Sequence, residues 1–251
     1  MPRAIAASLI LLALCSTPAW SQSPIADRQR DEALRHYRLG QEFMYAEDFP
    51  QAEREFEIAT QLDRLLAIAY FGLGQAYMEQ RRYASAIQAF SDCRDRYDEI
   101  ATLAATRTGE FNRRLEDEIQ EMRDSLTLLR SGRIRVAGRE HMIMKLETRI
   151  TQLENARRRS GSNFQAPAEV YLSLGSACFR HGRLADAEDA YKAALDVDGH
   201  FGEAHNNLAV VYLFSERYDE ARAAVEEAER NGYRVNPQLL EDIERAAAGR
   251  R

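Results

Sequence analysis

Apolar and small residues recur along most of this chain every three to four positions, with charged residues between them, which is the pattern of one buried helix face. A second period of 34 residues is superimposed on the first. It aligns Leu39, Gly40, Phe43, Ala52 and Phe56 with Leu73, Gly74, Tyr77, Ala86 and Phe90. The sequence therefore predicts an array of repeated helical units.

The same period returns in the second half of the chain. It aligns Leu174–Gly175 with Leu208–Ala209, Ala187 with Ala221, and Ala194 with Ala228. We predict helical repeats over 33–66, 67–100, 168–201 and 202–235. After them, Asn236 and Pro237 supply an N-cap and a first-turn proline for a last helix, which is expected to cap the array.

This pattern resembles the tetratricopeptide repeat (TPR) family. The resemblance implies an all-α solenoid in which the small residues of both helices of a repeat pack closely around an aromatic ring. Three positions depart from the family pattern. Ala209 replaces the glycine, Cys178 replaces a helix-A aromatic residue, and Val225 replaces the helix-B aromatic residue, so each position stays small or apolar.

The two blocks of repeats are out of phase because residues 101–167 are inserted between them. Two apolar seams with heptad-like spacing mark the insertion: Leu115, Ile119, Met122, Leu126 and Leu129, then Val136, Ile143, Leu146, Ile150 and Leu153. Ser131–Gly132 between them is typical of a turn, which predicts a long, coiled-coil-like antiparallel helical hairpin. The alternative is one long helix that pairs with a second chain and makes the protein a dimer.

The first 21 residues have the pattern of a signal peptide. Arg3 precedes the uncharged run from Ala4 to Leu14, and Ala19 and Ser21 are small residues where a signal peptidase reads the chain. The run is too short to span a bilayer. We therefore expect cleavage after Ser21 and a periplasmic or secreted protein, the alternatives being a retained N-terminal anchor or lipidation of Cys15.

Composition and motifs give no indication of an enzyme. The net charge is −6 and the two signs of charge alternate along the chain, so nucleic-acid binding is not expected. The five histidines lack metal-ligand spacing, and no nucleophile or phosphate-binding motif occurs, so neither a metal nor a cofactor is expected. Cys93 and Cys178 fall at core positions, and a disulfide between them requires that repeat 3 stack directly on repeat 2.

The resemblance also implies that the first helix of each repeat, helix A, lines a concave groove that holds a protein or peptide segment. The expected lining is apolar with polar anchors: Tyr37, Gln41, Met44, Tyr45, Phe71, Gln75, Met78, Leu172, Phe179, Arg180, Asn206, Val210 and Phe214. Part of this set is alternatively covered by neighbouring helices or by the hairpin. The hairpin tip carries a second candidate surface, a basic patch of Arg130, Arg133, Arg135 and Arg139, which is expected to make at most weak contact with an anionic membrane surface.

These features predict a non-enzymatic interaction scaffold or adaptor of the cell envelope. The alternative is a self-associating structural component of an envelope assembly or secretion machine, which the hairpin would hold as a homo-oligomer. The expected division of the chain is a signal peptide (1–21), an N-terminal repeat pair (22–100), a hairpin insertion with its linker (101–167), a C-terminal repeat pair (168–235) and a capping helix (236–251).

Overall fold

The structure is a computed structural model that describes residues 24–132, 139–159, 161 and 164–249. Every regular element within these residues is an α-helix, which confirms the predicted fold class. The helices are α1 (Pro24–Tyr45), α2 (Phe49–Leu62), α3 (Ala67–Glu79), α4 (Tyr83–Thr106), α5 (Thr108–Arg130), α6 (Arg139–Arg158), α7 (Ala168–Arg180), α8 (Leu184–Val197), α9 (Gly202–Phe214), α10 (Tyr218–Arg230) and α11 (Pro237–Ala248). The predicted signal peptide and Cys15 lie outside the described residues.

The helices form one continuous solenoid. The pairs α1–α2, α3–α4, α7–α8 and α9–α10 correspond to the four predicted repeats, and each pair packs against the next. Helix α4 packs directly against α7, so the array continues across the insertion as if the hairpin were absent. Helix α11 packs on α10 and ends the array.

Each repeat is closed by a left-handed residue between its two helices. These residues are Glu47, Arg81, Gly182 and Glu216, with φ of 58°, 58°, 84° and 59°. Three of the four are not glycine, although positive φ disfavours side chains with a Cβ. The turn therefore recurs at a fixed place in the repeat without the glycine that would have marked it in the sequence.

Close packing within a repeat depends on one small residue opposite one large residue. The rings of Phe56, Phe90 and Tyr191 lie against Gly40, Gly74 and Gly175 respectively. In the fourth repeat Ala209 and Val225 take the same two positions and are both buried in the main core. The two departures from the family pattern compensate each other, since a smaller partner on helix B leaves room for a Cβ on helix A.

The insertion folds as the predicted antiparallel hairpin. Ion pairs join its two helices at Arg123–Glu154 and Arg130–Glu147, and the turn begins at Ser131–Gly132. The first seam is mostly buried, since Leu115, Ile119 and Leu129 are at most 1% exposed. In the second seam Leu153 is buried, whereas Ile143, Leu146 and Ile150 are half-buried. Val136 lies outside the described residues. Only Arg107 separates α4 from α5, so the hairpin leaves the solenoid at a sharp corner.

Candidate interaction surface

Helices α1, α3, α7 and α9 present one surface of the solenoid, here called the helix-A face. All the predicted groove residues lie on these helices: Tyr37, Gln41, Met44 and Tyr45 on α1; Phe71, Gln75 and Met78 on α3; Leu172, Phe179 and Arg180 on α7; Asn206, Val210 and Phe214 on α9. The structure does not bring all of them to the surface. Leu172 was expected to line the groove, but it is buried in the main core of the solenoid and only 8% exposed.

The second half of the helix-A face carries an aromatic pair in which Phe214 is exposed and Phe179 is half-buried. Phe214 is 62% exposed, and its ring lies 5.5 Å from that of Phe179 at an interplanar angle of 74°. This edge-to-face contact favours the observed orientation of the two rings. Arg180 beside Phe179 is exposed, and Asn206 and Val210 are half-buried. The pair thus offers an apolar contact with polar groups near it.

In the first half of the face, the central predicted residue, Tyr37, is half-buried within its own repeat. The Tyr37 ring packs 5.9 Å from that of Phe56, and its hydroxyl accepts a hydrogen bond from Gln41 at 3.2 Å. Burial, followed by the carboxylate of Glu121 on α5, raises the pKa of Tyr37. Phe71 is also half-buried, with its ring 5.6 Å from that of Phe90. Gln75 and Tyr45 remain exposed.

Charged side chains join α5 to α1. Arg38 Nε donates to both carboxylate oxygens of Glu121 at 3.0 Å, and Glu121 is only 6% exposed. Nearer the start of α5, Arg113 pairs with Asp27 at 3.3 Å and Arg114 pairs with Asp63 at 2.9 Å. Ion pairs and the apolar side chain of Leu65, which packs on the cluster of Phe111 and Leu115, therefore both join the hairpin to repeat 1.

The base of the hairpin is anchored differently, by an apolar cluster. Phe111, Leu115 and Ile119 pack with Cys93 and Tyr97 of α4 in a core of their own. Within this base, the buried carboxylate of Glu118 accepts a hydrogen bond from Tyr97 at 2.9 Å and another from Arg149 of α6 at 3.2 Å. Both donors are needed, because a buried carboxylate without partners is strongly destabilising.

Helix α6 reaches the other end of the solenoid. Lys145 Nζ lies 3.8 Å from a carboxylate oxygen of Glu203 and 5.2 Å from the ring centre of Phe201, at the start of α9. The hairpin therefore contacts both repeat 1 and repeat 4.

The predicted basic patch at the hairpin tip is only partly described. Arg133 and Arg135 lie outside the described residues. Arg130 forms an ion pair with Glu147, and Arg139 lies 3.3 Å from Glu140. The two described arginines therefore face acidic neighbours.

Sequence reasoning missed the buried carboxylates Glu118 and Glu121. They lie three residues apart on α5 beside the apolar seam, where a heptad pattern places solvated charges. Their partners cannot be identified from local sequence patterns, because Arg38 is 83 residues from Glu121 and Arg149 is 31 residues from Glu118. The only feature of the sequence that could have indicated these buried carboxylates is their position beside the apolar seam of α5.

Cys93 and Cys178 are free and buried, and they belong to different clusters even though repeat 3 stacks on repeat 2. Burial raises the pKa of both thiols. No group of three His, Cys, Asp or Glu side chains positioned for a metal ion occurs among the described residues. In that same part of the chain, no helix has both the length and the apolar content to cross a bilayer.

Helix pairs stacked one on the next form an α-solenoid. Proteins of this architecture use their extended surface as a scaffold for protein interactions. The chain belongs to the tetratricopeptide repeat family, because the model described as "Tetratricopeptide repeat" matches residues 37–98, 150–200 and 172–235, more than half of the 251 residues. This shows the family that the spacing of 34 residues suggested.

Among solved structures, the chain is similar to "PilW, widely conserved type IV pilus biogenesis factor", with 16% identity, 86% of each chain covered and a TM-score of 0.40. It is also similar to pilF of Pseudomonas aeruginosa, with 16% identity, 89% of each chain covered and a TM-score of 0.33. A third is YrrB, "a TPR protein with an unusual peptide-binding site", with 16% identity, 87% of this chain and 95% of that chain covered and a TM-score of 0.29. A comparison with curated proteins finds no match.

Proposed function

We propose that this protein is a non-enzymatic, exported scaffold that holds an apolar segment of a partner protein on the helix-A face of repeats 3 and 4. The observation that carries the proposal is the aromatic pair of exposed Phe214 and half-buried Phe179. An aromatic side chain exposed by 62% is a favourable contact for a partner. Arg180 and Asn206 would orient the bound segment through hydrogen bonds.

The hairpin supports this choice of surface over the rest of the face. Tyr37 in repeat 1 is half-buried beside the Arg38–Glu121 pair that joins the hairpin to α1, whereas Phe214 in repeat 4 stays exposed. The self-associating alternative would use both seams of the hairpin. It receives less support, because most described residues of the α5 seam are buried within the chain and those of the α6 seam are buried or half-buried. Export rests on the signal-peptide pattern of residues 1–21 and is tested by N-terminal sequencing of the natural protein, which should begin at Gln22.

The binding proposal is tested by panning a random-peptide display library against the chain from Gln22 onward. We expect selected peptides to carry apolar or aromatic residues and to lose at least about tenfold in affinity for a Phe214→Ala variant, as for an interface anchor. Ile58→Ala is the matched control, since Ile58 is also exposed, at 36%, but lies on α2. Peptides that bind the Phe214→Ala variant as well as the wild type would refute the proposed surface.

A further inference from the structure

In repeats 2 to 4, one stripe along helix A packs against the repeat before it. In repeat 2 the stripe is Ala69, Leu73 and Ala76, and Ala69 packs in one cluster with Ala33 and Ala59 of repeat 1. The equivalent residues of the later repeats are Val170, Leu174 and Ala177 on α7, and Ala204, Leu208 and Val211 on α9. Every side chain of these three stripes is at most 8% exposed. The stripe is therefore the surface by which one repeat joins another.

Repeat 1 carries a different stripe, and in the described part of the chain no repeat precedes it. Its three residues are Arg35, Leu39 and Glu42, and all three are exposed, Leu39 by 41%. Leu39 keeps the leucine of the other repeats, whereas a basic and an acidic residue replace the small apolar residues on either side of it. Among the described residues, neither Arg35 nor Glu42 forms an ion pair. This end of the solenoid thus presents a leucine between two unpaired charges of opposite sign.

The order of these charges makes the stripe complementary to itself. Along α1, Arg35 lies about 6 Å to one side of Leu39 and Glu42 lies about 4.5 Å to the other side. A twofold axis at Leu39 therefore places a second α1 antiparallel to the first, with leucine against leucine and each Arg35 opposite Glu42 of the other copy. A parallel arrangement would instead oppose like charges, which is unfavourable.

We infer that the outer side of α1 is a self-association surface, on which a second copy of this chain packs its own α1 antiparallel through Leu39 and reciprocal Arg35–Glu42 ion pairs. A contact of one helix with one helix is small, so the dimer is weak, and its exposed ion pairs make it weaker still at high salt. The surface is separate from the seams of the hairpin. Each dimer would carry the Phe179 and Phe214 pair twice and so bind a partner with two suitable segments more tightly than a monomer does.

The test is sedimentation equilibrium of the chain from Gln22 onward, over a series of protein concentrations at low and high salt. We expect the wild type to form a dimer that dissociates as salt is added. Arg35→Glu and Glu42→Arg each place like charges opposite each other twice in the dimer. Each variant should therefore dimerise at least about tenfold more weakly than the wild type.

Mixing the two variants makes the charge requirement explicit. In an antiparallel pair of one Arg35→Glu chain and one Glu42→Arg chain, every acidic side chain again meets a basic one, so the mixture should form a heterodimer although neither variant dimerises well alone. The double variant Arg35→Glu with Glu42→Arg should dimerise like the wild type. Arg234→Glu is the matched control, since Arg234 is also exposed but lies between α10 and α11, and it should leave dimerisation unchanged. Circular dichroism confirms that the variants keep their helix content.

Three results would overturn the inference. A wild type that stays monomeric at every concentration would show that Arg35 and Glu42 only solvate the end of the solenoid. A dimer that the single variants leave unchanged would place self-association on another surface, such as the hairpin. Single variants that stay monomeric when they are mixed would contradict the reciprocal ion pairs. None of these results bears on peptide binding at Phe214, so the proposed function stands or fails separately.

Discussion

Gly74 on α3 and Phe90 on α4 fit together so closely that a Cβ at Gly74 would lie 2.5 Å from Cε1 of the phenylalanine ring. The ring is 1% exposed and has no free space to move into. Gly74→Ala is therefore expected to destabilise the fold by about 1–3 kcal/mol, despite the higher helix propensity of alanine. Urea denaturation followed by circular dichroism measures the change.

Gly109→Ala is the matched control for this substitution, because Gly109 is also helical and a Cβ there meets nothing within 4 Å. The fourth repeat indicates how a Cβ at the Gly74 position can be accommodated, since it has Ala209 there and the smaller Val225 in place of the phenylalanine ring. The double variant Gly74→Ala with Phe90→Val should lose about 0.5–3 kcal/mol less stability than the two single losses combined. A double variant whose stability loss equals the sum of the two single losses would show that the smaller side chain at position 90 does not make room for the alanine Cβ.

The helix α11 is expected to contribute to stability through one side chain. Ile243 is 0% exposed in the core, whereas Leu240 in the same helix is 43% exposed. Ile243→Ala should lower the free energy of unfolding by about 2–5 kcal/mol, because it leaves a cavity at the end of the solenoid. Leu240→Ala serves as the control and should change it by less than about 1 kcal/mol. Equal effects would show that α11 is not packed through Ile243.

Stability should fall at alkaline pH because of buried tyrosines. Burial, reinforced by the hydrogen bond of its hydroxyl to Glu57 at 3.1 Å, raises the pKa of Tyr77 to about 12 from the ordinary 10.0. The contribution of Tyr77 is complete below pH 10.0 and is lost as the pH rises to about 12, since only the unfolded state ionises in that interval. In urea denaturation across this interval, Tyr77→Phe should lose less stability than the wild type. Parallel pH profiles would contradict the assignment.

Neither cysteine should react while the protein is folded. Burial raises the pKa of the Cys93 and Cys178 thiols, which removes both the thiolate and its access to solvent. With the chain from Gln22 onward, a chromogenic disulfide reagent should react at least about 100-fold more slowly in buffer than in urea. In urea both thiols should be titrated. Finding none there would reveal a disulfide instead.

Much of the fold followed from the sequence. The period of 34 residues located the repeats around Gly40, Gly74 and Gly175 because a small residue opposite a ring is a local requirement of each helix pair. The seams of the hairpin, and the Asn236 cap of α11, which accepts from Gln238 N at 3.0 Å, are equally local. Such patterns depend on residues within one or two helices, so they are visible without coordinates.

The tertiary structure alone decided which part of the helix-A face is accessible. The sequence assigned Tyr37 and Phe214 to the same expected groove, yet Tyr37 is half-buried and Phe214 is 62% exposed. Beside Tyr37, Arg38 pairs with Glu121 of the hairpin, 83 residues away. Helical periodicity specifies which face of a helix is buried, but the partner that buries it is set by long-range packing and charge pairing.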